Sequence, residues 1–215
     1  AIPGIKDPFV TDHASRGVRS YSKAIYLMDL PAYDHNNVRI YDDSAIPDVD
    51  KTTERFDGRA LDNNYVATYF PDLTIDDFES NELVFVPSSI AAIAALGYSD
   101  SVSYPWFAPA GFNRASLSNV ARTATRLTAA DRDTLYEARI NPIASFTQAG
   151  FVIFGQKTLQ QMKSALDRVN VRRMMLEVKR QVVSVANNYV FAQNTAETRA
   201  NFVAAVSPLL AVIQS

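Results

Sequence analysis

Short apolar runs alternate with turn residues ahead of an alanine-rich segment near the middle of the chain. Residues 65–70 are rich in aromatic and β-branched side chains and predict a strand that Pro71 closes. Residues 83–86 form a second apolar run, which indicates a buried strand. Residues 90–96 predict a helix that Gly97 ends, and apolar side chains on nearly every side predict that it is buried. Strands followed by a buried helix indicate an α/β layer.

The second half of the chain mixes helical patterns with a hairpin pattern. Thr128 and Asp131 resemble a capping box, although Asp replaces the usual Glu or Gln, and they predict a helix that Asn141-Pro142 ends. Two strand-like runs, residues 143–147 and 151–154, flank a short turn sequence and predict a β-hairpin. This half is therefore expected to be α+β.

The clearest helical pattern lies in residues 169–189, where apolar residues recur at spacings of 4, 3, 4, 3 and 4. They form one stripe that is expected to pack inward: Val171, Met175, Val178, Val182, Val185 and Tyr189. Four basic residues of the same helix are expected at or near the surface: Arg172, Arg173, Lys179 and Arg180. A last helix is predicted over residues 195–213, with a bend at Pro208.

Charge divides the 215-residue chain into two unlike halves, although the net charge is only −2. Residues 1–105 carry 8 Lys and Arg against 17 Asp and Glu, whereas residues 106–215 carry 13 against 6. Such asymmetry is typical of chains that bind nucleic acid, a membrane surface or a protein of opposite charge. Because both signs occur in one chain, head-to-tail self-association is a further possibility.

The predicted boundary is the loop at which the sign of the charge changes. This loop contains Pro105, Pro109 and Gly111. It separates an acidic α/β part, residues 1–112, from a basic α+β part, residues 113–215. Together the two parts are expected to contain mixed sheets with packed helices.

Few residues match a pattern for catalysis or metal binding. Cysteine is absent, and the seven glycines form neither of the loops that cradle phosphate groups. The two histidines, His13 and His35, lie outside any metal-ligand spacing and are expected at the surface. No run approaches about 18 uncharged apolar residues, so no membrane span is predicted. The sequence therefore predicts no cofactor and no metal site.

Ser88 and Ser89 are the best candidates for a nucleophile. A serine that opens an alanine-rich helix resembles the nucleophile of subtilisin-like peptidases, but it needs a base held by a third group and an oxyanion hole. The Gly-Thr that precedes the peptidase serine is replaced by Val86-Pro87, and no His-Gly motif occurs. The favoured interpretation is that Ser88 is a helix N-cap. A serine hydrolase that uses Ser88 or Ser89 remains the alternative.

The basic helix offers two further interpretations. Its arginines and lysine could bind phosphate groups of a nucleic acid. However, Glu177 lies four residues after Arg173 and three before Arg180, spacings at which side chains pair along a helix. A surface that is solvated or faces another protein is therefore favoured over nucleic acid.

Four segments of the second half follow one another in a recognisable order. Residues 105–114 are Pro-Trp-Phe-Ala-Pro-Ala-Gly-Phe-Asn-Arg, and residues 132–143 contain Arg-Asp-x-Leu-Tyr ahead of Ile-Asn-Pro-Ile. Residues 150–158 are Gly-Phe-Val-Ile-Phe-Gly-Gln-Lys-Thr, and residues 165–173 end in Asp-Arg-Val-Asn-Val-Arg-Arg. In these segments the chain resembles the contractile tail sheath proteins of large, T-even-like myophages, which carry Trp-x-Ala/Ser-Pro-Ala-Gly and Asp-Arg-x-Asn-Val-Arg-Arg.

The resemblance covers roughly residues 60–215 and implies a structural role without enzymatic activity. It implies a subunit that polymerises helically around a tail tube and contracts to drive the tube through the host envelope. The implied partners are further copies, the tail tube protein, and the baseplate and tail terminator proteins, with no nucleic acid and no membrane insertion. The implied location is the virion, after assembly in the host cytoplasm. The sheath of a tailocin or a secretion-type injection machine is the alternative.

The resemblance also implies features of the fold and of the surface. The part around the alanine-rich helix is expected to be a subtilisin-like portion that is incomplete at its N-terminus, and the second part is expected to lack the family's final strands. Because those terminal arms pair neighbouring family subunits, residues 1–215 alone are expected to be monomeric at micromolar concentration. The helix with Lys179 and Arg180 is expected near the tail tube, where an acidic tube surface or sheath neighbour would bind it.

Overall fold

The computed structural model describes residues 1–77, 79 and 82–214, with only the backbone of Gln214. The helices of this described chain are α1 (Pro8–Tyr21), α2 (Val49–Asp57), α3 (Ser88–Val102), α4 (Ala129–Glu137), α5 (Val169–Ala186) and α6 (Ala196–Gln214). Two short 3-10 helices are Ala165–Asp167 and Asn187–Tyr189. The strands are β1 (Tyr26–Met28), β2 (Ala32–Tyr33), β3 (Arg39–Ile40), β4 (Val66–Phe70), β5 (Leu73–Asp77), β6 (Glu82–Val86), β7 (Ser116–Leu117), β8 (Val120–Thr123), β9 (Ile140–Phe146) and β10 (Gly150–Ile153).

The central sheet has five strands in the order β1-β4-β9-β10-β7. The first three run parallel, with Thr68 opposite Ile140, and β10 pairs antiparallel with β9 and β7. This mixed sheet with packed helices confirms the predicted fold class, and the β9–β10 pair confirms the predicted hairpin. Since β4 and β9 lie on opposite sides of residue 112, both predicted parts contribute to one sheet. The division of the chain into an acidic part, residues 1–112, and a basic part, residues 113–215, therefore stays a prediction.

Alternation along β4 creates a hydrophobic core on each face of the central sheet. Val66 and Phe70 face a core that includes residues of α2 and α4. Ala67 and Tyr69 face a second core that includes the small side chains of α3 and Val169 at the start of α5. All five residues of β4 are buried, as expected of a parallel strand that is covered on both faces.

The second sheet, β6-β5-β8, corrects one prediction. Residues 83–86 do form part of a strand, but Leu83 is 58% and Val84 40% exposed, so the prediction that this strand is buried was wrong. The physical reason is position, because β6 is an edge strand of this small sheet. An apolar run alone does not distinguish an edge strand from a central one.

The alanine-rich helix is longer and more exposed than its sequence predicts. It runs through Gly97 to Val102, so the glycine does not end it. Its buried apolar face consists of small side chains: Ala91, Ala92 and Ala95. Ile90 and Ile93 are 37% and 46% exposed, so the prediction of burial on nearly every side was wrong. Small residues face the sheet because they let the helix backbone approach it closely.

The capping box at the start of α4 is confirmed. The Thr128 amide donates to the Asp131 carboxylate at 2.7 Å, and the Asp131 amide donates to the Thr128 hydroxyl at 3.2 Å. The helix ends at Glu137, however, and Asn141 and Pro142 lie inside β9. The prediction that Asn141-Pro142 ends this helix was therefore wrong.

Asn141 instead ties β9 to the chain after β10. Its side-chain amide donates to the carbonyls of Thr68 at 3.0 Å and Lys157 at 2.9 Å, and its oxygen accepts from the Lys157 amide at 2.6 Å. A Cβ at Gly155 would lie only 2.9 Å from that oxygen. Glycine at this position therefore permits the close approach of the two segments.

The last two helices form a hairpin, α5–α6, at the edge of the fold. Tyr189 and Phe202 make an edge-to-face ring contact with centroids 5.7 Å apart, and Val206 is buried at 8% exposure. Most of α6 is nevertheless exposed, including Val203 and Leu210. The segment Ala196–Ile213 is long and apolar enough to cross a membrane by length and composition alone. The sequence prediction missed it because the segment includes two charged residues, Glu197 and Arg199.

Candidate assembly surface

The four basic residues predicted on one face of α5 do not form one surface. Arg172 is only 7% exposed, which contradicts the prediction that it lies at the surface. Its Nη2 donates to Asn64 Oδ1 at 2.6 Å, its Nε donates to the Asn64 carbonyl at 3.2 Å, and its guanidinium lies 4.0 Å from the Tyr65 ring centroid. Burial lowers the pKa of Arg172, while the nearby Tyr65 opposes that change. Arg172 therefore fastens α5 to the loop ahead of β4.

Arg173 makes a second internal connection. Its Nη2 lies 2.6 Å from each carboxylate oxygen of Asp100, near the end of α3. The Arg173 side chain is only 12% exposed. A charge-assisted pair of this kind joins α5 to α3. Arg173 thus contributes to the packing of two helices.

The inward face of the first turns of α5 differs from the predicted stripe. Val169 and Arg172 are buried, whereas Met175 of the predicted stripe is 46% exposed. The rest of that stripe is half-buried, and its last residue, Tyr189, meets Phe202 of α6. The prediction that the whole stripe packs inward was therefore wrong at Met175. The face is displaced because Arg172 is drawn inward by Asn64, which is remote in sequence.

Lys179 and Arg180 are the exposed members of the predicted set. Lys179 Nζ donates to the carbonyl of Ser22 at 3.2 Å and to its hydroxyl at 3.1 Å. Arg180 donates to both carboxylate oxygens of Glu177 at 2.8 and 2.5 Å, as the spacing in the sequence allowed. These hydrogen bonds hold the pKa of Glu177 below its usual value.

A groove of about 410 Å³ runs beside these residues. Its charged lining consists of Lys23, Asp100, Arg173, Glu177, Lys179 and Arg180. Asp100 and Glu177 are already paired with Arg173 and Arg180. The unpaired charge of this lining is therefore carried by Lys23 and Lys179. Of the four residues that the sequence predicts at the surface, Lys179 and Arg180 are the exposed ones.

The candidate serines lie at the first turn of α3, fully buried. Ser88 and Ser89 are each 1% exposed. The Ser88 hydroxyl donates to the Tyr69 carbonyl at 2.9 Å, and the Ser89 hydroxyl donates to Asp29 Oδ2 at 2.8 Å. The N-cap residue is Pro87, which makes no side-chain cap. The prediction that Ser88 is the N-cap was therefore wrong.

Two aspartates cap α3 instead. Asp29 Oδ1 accepts from the Ser89 amide at 2.9 Å, and Asp72 Oδ1 accepts from the Ser88 amide at 2.9 Å. Negative charge at a helix N-terminus is favoured by the free amides and by the helix dipole. Burial raises the pKa of the Asp72 carboxyl, and its buried ion pair with Lys6 opposes that shift. The Gly4 amide donates to Asp29 Oδ2 at 3.0 Å, so the same carboxylates also hold the N-terminal segment.

The sequence analysis missed both aspartates, although a signal for them exists. Asp29 follows β1 directly, and Asp72 comes two residues after β4. Since β1 and β4 are parallel neighbours, their carboxyl ends meet at one edge of the sheet, where the helix begins. His13 and His35 are exposed, as predicted. Within the described chain, no group of three or more His, Asp or Glu residues is placed to hold a metal ion.

No protein-family model matches the chain. Among curated proteins it is 39% identical over 155 residues to the tail sheath protein of Vibrio phage KVP40, covering 72% of this chain and 22% of that protein. It is 34% identical over 144 residues to the tail sheath protein of Enterobacteria phage T4, covering 66% of this chain and 21% of that protein. The chain is related to the phage tail sheath proteins. It spans about a fifth of the length of these relatives.

Solved structures of contractile machines share the fold of this sheath relative. The baseplate of the anti-feeding prophage in its contracted state matches with a TM-score of 0.72 and 23% identity, covering 97% of this chain and 54% of the other. The contracted sheath complex of the extracellular contractile injection system PVC matches with a TM-score of 0.67 and 21% identity, covering 78% and 45%. At these identities the matches establish the mixed α/β fold.

Proposed function

We propose that the protein is a structural subunit of a contractile phage tail sheath. It polymerises helically around the tail tube and contracts to drive the tube through the host envelope. The observation that supports this most strongly is the 39% identity over 155 residues to a phage tail sheath protein. A sheath needs contacts that repeat helically without closing, and a chain with opposite charges in its two halves suits that need.

The proposed role is not catalytic. The hydroxyls of Ser88 and Ser89 are buried and donate to the Tyr69 carbonyl and to Asp29, bonds that fix the start of a helix. A nucleophilic serine instead needs a base that takes its proton, and His13 and His35 are exposed elsewhere. No cofactor is required for this role.

The proposed partners are further copies of the protein, the tail tube protein, and the baseplate and tail terminator proteins. The proposed location is the phage tail of the virion, after assembly in the host cytoplasm. We propose no nucleic acid partner and no membrane insertion. Although Ala196–Ile213 has the composition of a spanning helix, it carries Glu197 and Arg199, and its Phe202 ring contacts Tyr189 in the 3-10 helix that follows α5.

The sheath of a tailocin or of a secretion-type injection machine is a second candidate. The fold matches to the anti-feeding prophage and to PVC favour it. The mechanism is the same in both cases, and the particle in which the protein is found distinguishes them. Purified particles with a genome-filled head would support the phage assignment, and headless particles would support the alternative.

Negative-stain microscopy of the full-length protein tests the proposal. We expect hollow tubes of uniform diameter that form in the absence of other proteins or on added tail tubes. A full-length protein that stays monomeric under both conditions would contradict a sheath role.

Labelling with a fluorophosphonate probe tests the serine hydrolase alternative. We expect no labelling, because both hydroxyls are buried and bonded. Stoichiometric labelling that Ser88→Ala or Ser89→Ala abolishes would restore that alternative.

A further inference from the structure

A basic groove lies beside the end of α4. It has a volume of about 760 Å³ and is lined by four cationic side chains, Arg139, Lys157, Lys163 and Arg168. Two carboxylates, Glu137 and Asp167, also line it. The lining therefore carries more positive than negative charge. We call these four cationic residues and the space between them the basic groove.

Tyr136 organises the cations of the basic groove. Lys157 Nζ donates to the Tyr136 carbonyl at 2.7 Å and lies 3.8 Å from the centroid of its ring. Arg168 donates to the Tyr136 hydroxyl and pairs with Asp167 at 3.2 Å. Lys163 is exposed and forms no ion pair among the described residues. Arg139 pairs with Asp57 at 3.3 Å. The groove is thus prearranged, and the exposed Lys163 carries a charge that no described carboxylate pairs with.

The cations of the basic groove repel one another. Burial lowers the pKa of Lys157, and the nearby charges of Arg168 and Arg139 lower it further, while Asp167 opposes them. A carboxylate that entered the groove would relieve this repulsion, because close opposite charges stabilise the ionised form.

A complementary acidic surface lies on the β5–β6 hairpin. Asp76, Glu79 and Glu82 are exposed there, and their side chains form no ion pair within the described chain. The Glu79 amide donates to Asp77 Oδ1 at 3.1 Å, and Asp77 lies opposite Glu82 in the two strands. We call Asp76, Glu79 and Glu82 the acidic hairpin.

The two surfaces lie at opposite ends of β4. The rim of the basic groove is bonded to residues ahead of this strand, with Asn64 donating to Gln160 at 2.8 Å and the Gln161 amide donating to Asp62 at 3.0 Å. The acidic hairpin follows the carboxyl end of β4. It contacts the turn between β7 and β8, because the Asp76 amide donates to the Asn119 carbonyl in that turn. The two surfaces therefore cannot meet within one molecule.

We propose that the acidic hairpin of one copy docks in the basic groove of a second copy. This contact is head-to-tail and leaves a free hairpin at one end and a free groove at the other, so further copies can add to it, as a helical assembly requires. This docking proposal rests on the proposed function in one respect: the assembly that would use the contact is a sheath. Opposite charges at an interface fix orientation and exclude wrong pairings.

Sedimentation equilibrium of a charge-swapped pair tests the docking. One variant, Asp76→Lys/Glu79→Lys/Glu82→Lys, replaces all three residues of the acidic hairpin and makes it basic. The other, Gln161→Glu/Lys163→Glu, alters exposed groove residues whose side chains make no internal hydrogen bond or ion pair in the described structure. Each variant alone has a hairpin and a groove of like charge. When the two are mixed, every hairpin again meets a groove of opposite charge.

The wild type is expected to be monomeric at micromolar concentration and to associate weakly at about 1 mM in about 10 mM salt. We expect association to fall about tenfold in each variant alone and to return in the mixture. The matched control, Arg126→Glu/Gln148→Glu, makes the same charge change at exposed residues outside the groove and is expected to associate like the wild type.

Three results would overturn the docking: no association of the wild type, variants that associate as the wild type does, or a mixture that stays monomeric. Tubes of the full-length protein combined with any of these results would leave the proposed function in place. The expected pattern in the charge swap, combined with a full-length protein that forms no tubes, would support the docking and contradict the sheath role.

Discussion

The two most apolar helices, α3 and α6, pack against different parts of the molecule. α3 places its alanines on the central sheet, and two buried aspartates cap its first turn. α6 packs against α5 and leaves Val203, Leu210 and much of its length exposed. Apolar composition is therefore no guide to burial in this chain. The sheet covers the alanine face of α3 and leaves Ile90 and Ile93 exposed on its outer side. The α5–α6 hairpin buries Val206 alone among the described side chains of α6 and leaves the rest of them half-buried or exposed.

Removal of the Asp29 carboxylate should produce the largest loss of stability. In Asp29→Ala the amide and the hydroxyl of Ser89 lose a buried acceptor, and the Gly4 amide loses a partly buried one. We expect the free energy of unfolding to fall by about 3 kcal/mol, measured by urea denaturation. Asp50→Ala, at an exposed carboxylate in the first turn of α2, is the matched control and is expected to change it by less than about 0.5 kcal/mol. If Asp29→Ala and Asp50→Ala changed the free energy of unfolding equally, the Asp29 cap would not stabilise α3.

Loss of the Arg172 side chain should have the next largest effect. Arg172→Ala leaves the Asn64 side chain and the Tyr65 ring without their partner and removes the contact between α5 and the loop ahead of β4. We expect a loss of about 2 kcal/mol. Arg172→Lys keeps the charge but not the planar fork and should lie between wild type and alanine. A fully stable Arg172→Ala would return this residue to the list of surface candidates.

Reversal of the exposed basic charges should affect assembly rather than folding. Lys179→Glu/Arg180→Glu is expected to leave the melting temperature nearly unchanged, because exposed ion pairs contribute little. In the full-length protein the same change should weaken extended-sheath assembly on tubes, and less so as salt rises, since screening shortens the reach of exposed charges. Normal assembly at low salt, or simple unfolding of the variant, would end the case for Lys179 and Arg180 as an assembly surface.

The smallest predicted effect is a pH dependence from Glu177. Its hydrogen bonds with Arg180 lower its pKa in the folded chain. A carboxyl with a lowered folded pKa contributes stability above its unfolded pKa of about 4.3 and loses it as pH falls through the folded value. Glu177→Gln should therefore flatten the stability profile only below about pH 5. A difference between the variant and the wild type that persists unchanged at pH 2 would point to packing instead of charge.

Features whose partners are close in sequence could be predicted, and features that join distant segments could not. The capping box of Thr128 and Asp131 and the β9–β10 hairpin depend on residues within about one turn of each other, and both are confirmed. The start of α5 at Val169 also followed from periodicity, although the α-helix ends at Ala186 and a 3-10 helix continues to Tyr189. The inward face of α5 could not be predicted from periodicity, because Arg172 is held inward by Asn64, which is 108 residues away in the sequence.

The cap of α3 is a second feature that joins distant segments and could not be predicted from a local pattern. Asp29 is 60 residues from Ser89, and the parallel pairing of β1 and β4 is what brings the carboxylates of Asp29 and Asp72 to the helix. Sequence alone predicted a serine cap, because only a neighbouring side chain is visible to a local pattern. The order of strands had to be known before the true cap could be identified.

Radical footprinting of the full-length protein, free and in tubes, tests most directly whether the α5–α6 hairpin is completed by assembly. Met175 and Phe191 are exposed in the chain, at 46% and 101%, and Met28 is buried at 0%. We expect oxidation of Met175 and Phe191 to fall several-fold in tubes, while Met28 stays protected in both states. Equal oxidation of Met175 and Phe191 in free and assembled protein would contradict the account, because the apolar surface of the hairpin would then remain exposed in the sheath.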